Sequence, residues 1–145
     1  MAGGNEGARA LFNPWEIVEA DPGIRVEMRE FEECSGKTNG IDLIFLDSRL
    51  LQVEQRCTLT HELVHISRSH YQCQPLSAER EVRRATSRLL VHVKDLRREM
   101  RWARHHVELA SELVVTPRVL SDRLECLTPA ELAFLGAVDL EACLV

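Results

Sequence analysis

The chain has 145 residues, 45% of them hydrophobic, and a formal net charge of -5. That is enough apolar material for one compact domain with a real core, and the negative balance argues against a protein that lives on nucleic acid. No apolar run is long enough to span a bilayer and no charged-then-apolar leader opens the chain; five scattered cysteines without a C-x-x-C pair argue against a disulfide framework, so the expectation is a cytoplasmic protein with no membrane partner.

Residues 1–11 read as a short disordered tail. Asn13-Pro14-Trp15 then sets up a helix, with Asn13 as cap and Pro14 in the first turn, and Pro22-Gly23 breaks it. Ile24 to Met28 alternates apolar and charged residues as a half-buried strand does, and Ile41 to Leu46 reads as a second, more buried strand. Between them Ser35 to Gly40 is a turn cluster. A helix from about Val53 to Ser67 follows, then a loop from Ser69 to Ser77.

With Ser77 as its cap, a single long amphipathic helix is expected to run to Met100, because Val82, Ala85, Leu89, Val93, Leu96 and Met100 recur at three- and four-residue spacing. Its arginines (Arg83, Arg84, Arg88, Arg97, Arg98, Arg101) read as a solvated face. Val107 to Leu124 has the rhythm of a helix-turn-helix, with Thr116-Pro117 opening the second helix, and Thr128-Pro129 opens a last one. The fold class is therefore α+β and mostly α: a small sheet beside the central helix, then a helical C-terminal part. The expected division is 12–104 for the core and 105–145 for the helix-turn-helix-like subdomain.

The chemistry is concentrated in the central helix, at His61-Glu62-Leu63-Val64-His65. Residues four apart share a helix face, so both imidazoles can reach one metal ion. Glu62 stands beside that ion and can serve as general base, the minimum equipment of a zinc-dependent peptidase. A catalytic zinc usually takes a third protein ligand. The pattern H-E-x-x-H-x-x-G-x-x-H is excluded, since it needs Gly at Arg68 and His at Tyr71. His70 falls one position short but stays near the site, and with Cys73 it forms a weaker metal-binding alternative. Glu79 and Glu81 flank the apolar stripe of the following helix, one on each side, and periodicity does not choose between them.

Arg56-x-Thr58-Leu59-x-His61-Glu62-Leu63-x-His65, followed by Glu81-x-x-x-Ala85-x-x-x-Leu89-Leu90, resembles the ImmA/IrrE family of metallopeptidases, over about Phe12 to Leu135. The chain departs from the family pattern at Val64, Arg84 and Val91-His92. The resemblance implies a zincin-like core with Zn²⁺ on His61, His65 and Glu81. It also implies an endopeptidase whose substrate is a helix-turn-helix transcriptional repressor, cleaved to relieve repression of a phage, mobile element or stress regulon. On that reading Glu62 is the general base; His70, Tyr71 and His92 are candidates for steadying the oxyanion, with His70 and Tyr71 carried as catalytic residues. Thr58 and Asp47 are candidates for orienting the imidazoles. The alternative is a non-cleaving antirepressor, or a DNA- or protein-binding regulator, with a structural metal. Arg118 and Arg123 are too few donors for a DNA-reading helix, which argues against direct DNA binding.

Overall fold

The chain's first helix is fixed by its own cap. In the computed structural model, which describes residues 10–136, α1 spans Pro14–Ala20 and the Asn13 side chain accepts from the Trp15 N–H at 3.1 Å. Most of the expected 1–11 tail, and the end of the expected 105–145 subdomain, lie outside the described residues. Three strands follow: β1 (Arg25–Arg29), β2 (Gly36–Thr38) and β3 (Leu43–Asp47), in the order β1-β3-β2. β1 is parallel to β3, with Arg25 opposite Leu43, and β2 is antiparallel to it, with Thr38 opposite Ile44.

β2 corrects the expectation of a plain turn between Ser35 and Gly40. Gly36 lets the backbone lie against the central helix, where a Cβ would stand 2.7 Å from Thr58 Cγ2 and 3.0 Å from the Phe45 carbonyl. The turn itself begins later. There Asn39 Oδ1 accepts from the N–H groups of Ile41, Asp42 and Leu43 at 2.9–3.0 Å.

The central helix α2 spans Gln52–Ser67. Its Leu59 and Leu63 pack on Ile44 and Leu46 of β3, with Trp15, Val18 and Val26 around them. Burying each such aliphatic side chain contributes about 1.5–3 kcal/mol, so this small core is what fixes the helix on the sheet. α2 ends in a reversal: His70 N–H donates to the His65 carbonyl at 3.1 Å and Ser69 N–H to that of Ile66 at 3.0 Å, with Ser69 at φ 55°. This is a Schellman closure with serine where glycine is usual.

The expected single helix to Met100 is two, α3 (Leu76–Leu90) and α4 (Val93–Met100). α3 starts without the Ser77 cap, Pro75 standing at the cap position. The break at Val91 comes from distant arginines that take the carbonyls a continuing helix would use. Arg123 Nε donates to the Val91 carbonyl at 2.8 Å and Arg56 Nη2 reaches that of Leu90 at 3.5 Å, while His92 Nδ1 accepts from the Lys94 N–H and caps α4.

α5 (His106–Glu112), α6 (Pro117–Glu125) and α7 (Pro129–Leu135) complete the described residues. Thr116 and Thr128 cap α6 and α7 as their Thr-Pro pairs predict. Between α5 and α6, Val114 takes a φ of 55° and its carbonyl accepts from Arg56 Nη1. Leu109, Leu113 and Leu120 share one core with Cys57, Leu90, Leu96 and Met100, so apolar packing runs across the expected 104/105 boundary. No helix of the described residues is long and apolar enough to cross a membrane.

Candidate metal centre

His61 and His65 stand one turn apart on α2, and the first turn of α3 runs past them. His61 Nε2 and His65 Nε2 are 3.2 Å apart. Glu79 closes the triangle, with Oε2 at 3.4 Å from His61 Nε2 and Oε1 at 3.2 Å from His65 Nε2. A tetrahedral zinc with bonds of about 2.0–2.1 Å needs donor atoms about 3.3–3.4 Å apart. Two nitrogens and a carboxylate at these spacings therefore fit a metal ion, and His61, His65 and Glu79 could hold one.

The third member of that group is Glu79, where the family-like pattern puts the role on Glu81. Residues two apart on a helix point about 200° away from each other, so only one of the two can face α2. The buried side of α3 is Val82, Thr86, Ser87 and Leu90, and Glu79 lies on the Val82–Thr86 line. Glu81 is exposed and pairs with Arg84 at 2.9 Å. The apolar stripe read from the sequence was rotated by two buried hydroxyl residues, and Leu89, which it included, is 46% exposed.

The electrostatics suit metal binding. Burial, and then the positive charge of a protonated His65, push His61 down to about 4, so it is neutral near pH 7. Burial also lowers His65, partly offset by Glu79. Both rings therefore carry a lone pair for an ion. Glu62 is buried, and that burial, with the Glu79 charge beside it, lifts its carboxyl to about 7. A carboxyl poised there can accept and return a proton near neutrality.

The remaining candidates fall into different places. His70 Nδ1 lies 2.9 Å from His65 Nδ1, so it touches the ring behind the triangle. Neither His70 nor Tyr71 lines the cleft beside His61 and Glu62, and Tyr71 is 60% exposed. His92 is the α4 cap and Asp47 is engaged by Arg49, Oδ2 to Nη2 at 2.8 Å, rather than orienting an imidazole. Thr58 borders the cleft, its methyl against Gly36. Cys73 is exposed and belongs to no metal-binding group among the described residues.

The cleft encloses about 550 Å³. Its walls are residues 33–36 leading into β2 on one side and the start of α6 on the other. Thr86 borders it with a buried hydroxyl that has no hydrogen-bond partner among the described residues. Sequence reasoning missed two of its features. Gly36 carried no chemical signal, and Arg118 reaches the cleft only because α6 folds back over α3. Comparison of the chain with family models, with curated proteins and with solved structures gave no match.

Proposed function

We propose that the chain is a zinc-dependent endopeptidase of the ImmA/IrrE kind, with a zincin-like core, that cleaves a helix-turn-helix repressor. One observation carries this reading: a triangle of two imidazole nitrogens and a carboxylate at zinc spacing, with the buried Glu62 on the same helix. A structural site has no use for a poised base, which favours turnover over a purely architectural metal.

His61, His65 and Glu79 would hold the ion. Zn²⁺ there would supply Lewis acidity, polarising the scissile carbonyl and acidifying water. Glu62 takes the proton of the attacking water on its carboxylate and delivers it to the departing amide nitrogen. β2 is an edge strand and Gly36 lies beside Glu62, so an extended peptide pairing with β2 runs its backbone past that carboxylate. The substrate class rests on the family resemblance, and the net charge of -5 is consistent with a protein rather than DNA as partner.

The test is to incubate the zinc-loaded protein with a helix-turn-helix repressor from the same source and to look for fragments by mass spectrometry. Cleavage that disappears in Glu62→Gln supports the proposal. A complex that forms without cleavage would instead make the protein an antirepressor that sequesters its target.

A further inference from the structure

The charges in the cleft are unevenly spoken for. Glu79 lies between the two imidazoles, Arg83 holds Asp122 through Nε at 3.1 Å and through Nη2, and Glu54 caps the Leu51 N–H at 2.8 Å. Glu62 is buried. Two charged groups lining the cavity then have no bonded partner among the described residues: Glu33 on the sheet side and Arg118 on the α6 side.

Arg118 is the second residue of α6, behind Pro117 and the Thr116 cap, so its backbone is held by a rigid helix start. The Arg83–Asp122 pair ties that helix to α3, the helix that carries Glu79. The guanidinium is exposed and lines the cavity together with His61 and Glu62. A guanidinium presents a planar fork of donors that matches a carboxylate two-to-two, and an exposed one facing a cavity has no internal use for it.

We infer that Arg118 selects the substrate: it receives an acidic side chain of the bound peptide, next to the bond presented to Glu62. This rests on the peptidase reading and adds to it a substrate class. It also gives α6 a role. The N-terminal turn that would read bases in a DNA-binding helix-turn-helix here forms a wall of the cleft. Glu33, across the cavity, leaves the opposite side of the cleft disposed to a basic side chain, so the peptide is oriented as well as chosen.

The experiment measures binding, with Glu62→Gln as the background so that nothing is cut. The zinc-loaded protein is titrated into fluorescein-labelled ten-residue Ala/Leu/Ser peptides that carry one Glu, scanned through the central positions, and into their Gln and Lys counterparts. The Glu peptide at the favoured position is expected to bind about three- to tenfold tighter than its Gln counterpart. Arg118→Gln should erase that preference, Arg118→Glu should turn it toward the Lys peptide, and Arg101→Gln, exposed and outside the cleft, should leave it in place. Peptides that bind without any preference for Glu, or a preference that survives Arg118→Gln, would overturn the inference while the peptidase reading stands. If the zinc-loaded protein binds none of the peptides, the inference is overturned, while the peptidase reading is decided separately by cleavage of the repressor.

Discussion

His65 touches His70 through one ring nitrogen and Glu79 through the other: Nδ1 to Nδ1 is 2.9 Å and Nε2 to the carboxylate is 3.2 Å. The two contacts are linked by the tautomer. With the Nε2 lone pair turned to the candidate metal, Nδ1 carries the proton and donates it to His70 Nδ1. In that arrangement His70 would position the ring and raise its basicity.

His70→Ala is expected to weaken zinc binding about 10- to 100-fold. His70→Asn, which can still accept from Nδ1, should recover much of that loss. Competition with a zinc-chelating dye measures both. Unchanged affinity in His70→Ala would remove His70 from the site.

Glu62 makes the metal-free protein pH-sensitive. Its carboxyl sits at about 7 in the folded chain, against an ordinary 4.5, because it is buried beside Glu79. The folded state holds the proton where the unfolded state has lost it. Its contribution to stability is thus complete below pH 4.5 and falls away as the pH rises through 7, a loss on the order of 3 kcal/mol. Glu62→Gln should melt above the metal-free parent at pH 8, with the gap closing toward pH 4. A gap that does not change with pH would contradict the burial argument.

Two glycines share a φ of 75° and differ in surroundings. A Cβ on Gly40 would stand 2.1 Å from the His70 carbonyl, whereas one on Gly136 would meet nothing among the described residues within 4 Å. Both alanine variants carry the strain of the left-handed conformation, on the order of 1 kcal/mol, but Gly40→Ala must also push back the loop that carries His70. Urea denaturation should find Gly40→Ala the less stable by about 1–3 kcal/mol. Its zinc affinity should fall as well, whereas Gly136→Ala keeps it. Equal losses would mean that the 40–70 contact is not tight.

What could be read from the sequence was local. Asn13, Thr116 and Thr128 announce their helices because a cap acts within three residues. His61 and His65 announce a shared ligand because four residues make one turn. The misses arose where distant parts of the chain decide. α3 turns Glu79 inward because Thr86 and Ser87, which carry no hydrophobic signal, are buried on α2 and α6 while Leu89 is left outside. The break at Val91 depends on Arg123, 32 residues further on, and Arg56, 34 residues before Leu90. β2 exists because Gly36 can lie flat on α2, a contact between segments that the sequence does not place side by side.

The central claim is that His61, His65 and Glu79 form the metal site, and zinc content tests it most directly. Purified wild type, Glu79→Gln and Glu81→Gln would each be loaded, dialysed and assayed by plasma mass spectrometry. About one zinc per chain is expected in wild type and in Glu81→Gln, with Glu79→Gln largely stripped. Retention of zinc in Glu79→Gln together with its loss in Glu81→Gln would contradict the account.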